Sequence, residues 1–212
     1  EIDNLQSLAT TVEVENTATA ADVTINFDAS TVSGSSDTVN VTIDNSTGGG
    51  DLVINSVETI AVTAIGDDND LNIDGSSGTT VTIAGSGELN ADFNADVLTV
   101  NAASNSGGVT MVASAAGDVT YTGGSGADTF TMGTTLTAAD TIVGGAGTDT
   151  LGVTGAGGAV IPASAAVSGV EVVAITTGGT DTIDANILTG LTSITVTAAA
   201  NAHSIAATDV TT

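Results

Sequence analysis

Two short stretches carry the residue types with the clearest chemistry. Residues 123–131 read GGSGADTFT and residues 144–152 read GGAGTDTLG. In the first, Gly123, Gly124, Ser125 and Gly126 precede Asp128; in the second, Gly144, Gly145, Ala146 and Gly147 precede Asp149. Glycine tolerates positive φ and tight curvature, so such a loop turns several backbone carbonyls toward one point while the aspartate adds negative charge there. Clustered carbonyl and carboxylate oxygens suit a hard cation, and Ca2+ accepts irregular oxygen ligand sets best. The apolar residue two places after each aspartate, Phe130 or Leu151, begins a strand pointing into a core. Each nonapeptide is therefore half of a calcium site joined to a short strand.

The charge balance points the same way. The 212 residues hold 25 Asp plus Glu and no Lys or Arg, for a formal net charge of -25. Apart from His203 there is no basic side chain, so crowded carboxylates must be relieved by water, backbone N–H groups or bound cations. The same charge argues against nucleic acid as a partner and against anionic lipid. Cysteine is absent, which removes disulfides and thiolate metal sites. No apolar run is long enough to span a bilayer, so membrane insertion is not expected. The opening EIDNLQSLATT has neither an initiator Met nor a basic region followed by an apolar stretch, and a piece of a longer protein is expected, with a mature protein as the alternative.

Short runs that alternate apolar and polar residues must position these loops. TVNVTID (38–44), TVTIAG (80–85) and SITVTAA (193–199) are rich in Val, Ile and Thr and read as strands. Apolar anchors recur at Val41, Leu52, Val62, Ile73, Ile83 and Phe93, then at Phe130, Ile142, Leu151, Ile161, Val172, Ile183, Ile194 and Ile205. The steps are about 10 or 11 residues, so two of them make a period of about 21. Aromatics are only 2% of the chain, which suits a thin core of many small layers. The expected fold is all-β, a right-handed parallel β-solenoid with coils of roughly 21 residues; β-sandwich domains are the alternative. Residues 95–121 break the period and are expected to be an irregular segment or kink.

Both loops match the nonapeptide G-G-x-G-x-D-x-U-x, and in this the chain resembles the RTX proteins, the glycine-aspartate repeat family exported by Gram-negative bacteria. The resemblance implies a parallel β-roll in which successive coils supply the two halves of each calcium site. Carried onto this chain, it sets Asp128 and carbonyls within 123–126 against Asp149 and carbonyls within 144–147. Two nonapeptides make about 18 residues per coil in a regular roll, whereas these motifs lie 21 apart, so a wider coil is expected. Asp140, in DTI at 140–142, opens an incomplete third copy; GSSDTV (34–39) and GGTDTI (178–183) are degenerate echoes that keep Asp37 and Asp181. NSVETIAV (55–62), SGVEVVAI (168–175), and a Thr, Ala and Val background without Lys or Arg are similar to RTX-type bacterial surface-layer proteins. The expected organisation is solenoid coils over 1–94, the irregular segment 95–121, calcium-binding coils over 122–158 and further coils over 159–212, in one continuous domain.

A further acidic run, GDDNDLNIDG (66–75), concentrates Asp67, Asp68, Asp70 and Asp74. It imitates the first half of an EF-hand loop, but the twelfth position is Val81 and not Glu, so that motif is excluded. The run reads either as a strand with Leu71 and Ile73 inward or as a second calcium site. Enzyme chemistry finds little support: lyases of this architecture rely on Lys or Arg, and His203 stands alone with no G-x-S-x-G elbow. The resemblance implies a secreted, non-enzymatic subunit of a calcium-dependent surface lattice, self-assembling through copies of itself and anchored to cell-surface glycan through regions outside this chain. A repeat region of an RTX adhesin is the alternative, followed by an extracellular glycosidase or its secretion module.

Overall fold

The computed structural model describes residues 1–8, 11–20, 22–76, 78–113, 117–155, 161–162, 165–177 and 188–198. These form a parallel β-solenoid of about eight coils built from two sheets, and no helix occurs among the described residues. The first sheet takes the strands β1 (Ile2–Leu5), β3 (Val23–Phe27), β5 (Gly50–Ile54), β7 (Asn69–Asp74), β9 (Leu89–Phe93), β11 (Val109–Ala113), β13 (Thr129–Gly133), β15 (Thr150–Gly155), β17 (Val172–Thr177) and β18 (Ser193–Ala198). The second takes β2 (Val12–Glu15), β4 (Thr38–Asp44), β6 (Thr59–Ile65), β8 (Thr80–Gly85), β10 (Thr99–Asn105), β12 (Thr120–Thr122), β14 (Thr141–Val143) and β16 (Ala166–Ser168). Up to β17 each strand pairs in parallel with the strand two places along the chain, β17 pairs in parallel with β18, and the antiparallel pairing of a β-sandwich does not occur among the described strands.

Period-two alternation fixes which side chains enter the core. Val39, Val41 and Ile43 of β4 point inward opposite Leu52 and Ile54 of β5, while Asn40 and Thr42 face out. Burying each such side chain contributes about 1.5–3 kcal/mol, and the gain accumulates coil by coil because every coil stacks on its neighbours. The register repeats closely: Thr38, Thr59, Thr80, Thr99, Thr120 and Thr141 occupy one column, each opening a strand of the second sheet. Phe93 and Tyr121 are buried side by side in the core, with ring centroids 6.1 Å apart.

Two sequence expectations change. Residues 95–121 are not an irregular segment, since they hold β10, β11 and the start of β12, with Val100, Ala102, Val109 and Met111 in the core. Their period is masked by a bulge between Asn101 and Ser104, where the Ala103 N–H donates to Asn101 Oδ1 at 3.0 Å. Val172, taken as a core anchor, is half-buried and pairs with the outward Thr150 and Ser193, while Val173 and Ile175 fill the core. Ile183 and Ile205 lie outside the described residues.

Candidate metal centre

Both nonapeptides fall at the same corner of the solenoid, where the chain leaves the second sheet and enters the first. Thr110 pairs with Thr129, Thr129 with Thr150, and Thr150 with Val172. The residues just before them, Val109, Asp128, Asp149 and Glu171, therefore stack in one column. Each acid accepts a backbone N–H from the coil before it: Val109 N–H donates to Asp128 Oδ1 at 2.7 Å, Asp128 N–H to Asp149 Oδ1 at 2.8 Å, and Asp149 N–H to Glu171 Oε2 at 2.9 Å. The loops themselves stack rung on rung, Ser125 N–H donating to Asn105 O and Ala146 N–H to Gly124 O.

The two aspartates differ in their second oxygen. Asp128 Oδ2 accepts the Gly124 N–H of its own loop at 2.6 Å, so both of its carboxylate oxygens are engaged. In the second loop Gly145 takes a φ of +109°, a conformation Gly124 does not share, and no N–H closes onto Asp149 Oδ2. That oxygen is buried and has no hydrogen-bond partner. A Cβ at Gly144 would stand 1.6 Å from the Gly169 carbonyl oxygen and 2.6 Å from Asp149 Oδ2. Glycine at 144 thus lets a carbonyl of the next coil and the open carboxylate oxygen converge on one side of its Cα. The counterpart at Gly123 brings Gly144 O and Asp128 Oδ2 together in the same way.

Burial raises the Asp128 carboxyl above its ordinary value, against the pull of the Gly124 and Val109 N–H groups. Burial also raises Asp149, and the neighbouring Asp128 and Glu171 carboxylates add to this, opposed by the Asp128 N–H. Asp149, wholly buried with one carboxylate oxygen unpartnered in a chain that has no lysine or arginine, needs a proton or a cation.

Earlier coils of the same corner solve the problem with amides. Asn105 Oδ1 accepts from Gly107 and Gly108 N–H while its Nδ2 donates to Gly87 O; Asn69 accepts from Ser46 N–H and donates to Ile65 O and Glu88 O. An amide brings its own donors, so those coils close without an ion. The donor set at Asp149 fits a hard oxygen-seeking cation, since its orphaned oxygen, the Gly169 carbonyl and Glu171 supply the chemistry Ca2+ takes. No three or more Asp, Glu, His or Cys side chains converge among the described residues, so backbone carbonyls must complete any such ligand set.

The other acids singled out by sequence lie elsewhere. Asp140 and Asp37 sit at the opposite corner, before strands of the second sheet, in a column with Glu58, Thr79, Leu98 and Val119. Asp140 is buried, and its two oxygens accept from Val119 N–H at 2.8 Å and Thr137 N–H at 2.6 Å, which clamps the 134–140 connection. The Asp37 N–H donates to Glu58 Oε2. Asp67 and Asp68 are exposed at the first corner several coils away, and Asp70 and Asp74 face outward from β7 with Leu71 and Ile73 inward. Asp68, Asp70 and Glu88 line an open groove of about 470 Å³. Asp51, Glu88 and Asp92 crowd this acidic face without having been expected, with asparagines between some of them, as where Asn72 Nδ2 donates to Asp51 Oδ1 at 2.8 Å. Asp181 lies outside the described residues.

Glu171 is the residue that sequence reasoning missed. Its turn, Gly169–Glu171, lacks the paired glycines; the available signal was an acid 22 residues after Asp149, just before an alternating run. No protein-family model, curated protein or solved structure matches the chain.

Proposed function

We propose that this chain is a structural, non-enzymatic segment of an extracellular bacterial surface layer whose folding and assembly are coupled to Ca2+. The observation that carries the proposal is the stack of two complete glycine-aspartate nonapeptides, in register, with buried carboxylates in a chain that has no basic side chain except one histidine. Bound Ca2+ would supply positive charge to Asp149 Oδ2, the buried carboxylate oxygen that otherwise has no partner. The remaining work belongs to the chain: glycines 123, 124, 144 and 145 open the corner, Asp128 and Asp149 link successive coils through backbone N–H groups, and the apolar strips stack as the corners close. At low calcium the charge of -25 and the glycine-rich corners favour an expanded chain. At the calcium concentration outside a cell, binding confined to the folded state stabilises it by mass action.

The partner in this proposal is a second copy of the chain within a lattice, with cell-surface glycan engaged through other regions. Electron microscopy of the purified chain with calcium and with chelator tests it. Ordered sheets that form only with calcium support the surface layer; saturable glycan binding without assembly supports the adhesin alternative, and turnover of a glycoside abolished by single aspartate substitutions supports an enzyme.

A further inference from the structure

We infer that the principal cation site lies between Asp149 and the Gly169–Glu171 turn, with Glu171 as a ligand, and not between the two nonapeptides. The inference rests on the calcium proposal above and departs from the ligand set that the motif resemblance implies. Between the motifs the carboxylate oxygens are already engaged. Asp128 Oδ1 and Oδ2 each hold a backbone N–H, and Asp149 Oδ1 holds the Asp128 N–H. One coil further on, the pattern opens. Asp149 Oδ2 is buried without a partner, the Gly169 carbonyl converges on it over Gly144, and Glu171 uses only Oε2, leaving Oε1 without a hydrogen bond among the described residues.

Asp149 and Glu171 bring two negative charges and the corner brings carbonyl oxygen, a set suited to a hard divalent cation of the calcium type. Gly169, at φ +62°, aims its turn as few other residues could. The site's location also has a mechanical consequence. A cation joining Asp149 to Glu171 would tie the residue just before β15 to the residue just before β17, the next strand of the same sheet.

Calcium titration of the full chain, followed by calorimetry and by carboxyl 13C NMR shifts, tests the site. Glu171→Gln removes one charge and one ligand and should weaken calcium binding at least about tenfold. Asp92→Asn removes the same charge from the outer acidic face and should change affinity less than about threefold. In the unmodified chain the Glu171 and Asp149 side-chain carboxyl signals should shift together with saturation while Asp128 stays nearly fixed, a readout that holds even where Glu171→Gln folds poorly. Equal affinities for Glu171→Gln and Asp92→Asn, or a shift at Asp128 with none at Glu171, overturn the placement and leave the calcium proposal standing. Absence of any binding at millimolar calcium overturns both.

Discussion

The backbone N–H of Asp128 donates to Oδ1 of Asp149 at 2.8 Å, 21 residues on, so the carboxylate of one motif caps the backbone of the other. Asp128 plays the same part toward Val109 and also closes its own loop at Gly124. Asp128→Ala should therefore strand two buried donors and cost about 2–5 kcal/mol. Asp128→Asn keeps one acceptor and should cost less. Urea unfolding of the two variants checks the order; equal losses would show that the carboxylate contributes charge and not hydrogen bonds.

Glycine is required at Gly144 by space, since an added methyl would stand 1.6 Å from a backbone carbonyl oxygen. Gly144→Ala should cost about 3 kcal/mol or more. Gly152 offers the contrast, with its nearest neighbour at 3.7 Å and no positive φ. Gly152→Ala should be neutral or stabilising by about 0.5 kcal/mol. Thermal unfolding of both proteins gives the comparison.

Tyr121 buries its hydroxyl in the core with no hydrogen-bond partner, and burial together with Asp140 pushes its pKa up to about 12. Removing the oxygen while keeping the ring should relieve that burden. Tyr121→Phe is expected to leave stability unchanged or raise it by about 1 kcal/mol, whereas Tyr121→Ala should cost about 3–5 kcal/mol through the cavity beside Phe93. A substantial loss in Tyr121→Phe would mean that the hydroxyl has an ordered partner.

The raised carboxyls of Asp128 and Asp149 contribute to the pH dependence. In the folded chain they keep protons at a pH where the unfolded groups, at 3.8, have lost them. Their contribution to stability is then full below that unfolded value and is lost as pH rises through the raised folded values. In chelator, stability should therefore fall from acid toward neutral pH. Calcium binds the deprotonated form, so saturating calcium should flatten or invert that slope. Urea midpoints measured across this range, with and without calcium, decide the sign.

Much of the fold was legible because alternation is strict where the core is continuous: Val39, Val41 and Ile43, or Leu71 and Ile73, leave no doubt about which face is buried. Val170 to Val173 was harder, since a run of valines around Glu171 gives two possible phases, and only pairing with Thr150 sets Val172 outward. The corner assignment was not readable for a different reason. Strands of both sheets open with a threonine preceded by an acid, as in Asp128–Thr129 and Asp140–Thr141, so the same two letters occur at opposite corners. Asn69 and Asn105 were invisible as relatives of Asp128 because an amide satisfies the corner's hydrogen bonds without the glycine pattern that marks the motif.

Equilibrium unfolding of the full chain, followed by circular dichroism in millimolar calcium and in excess chelator, tests the coupling of calcium to folding most directly. Calcium at about 100 times its dissociation constant should stabilise the fold by about 2.7 kcal/mol per site, seen as a raised midpoint that moves with calcium concentration. A chain equally β-rich in chelator, with the same midpoint at every calcium concentration, would contradict the account.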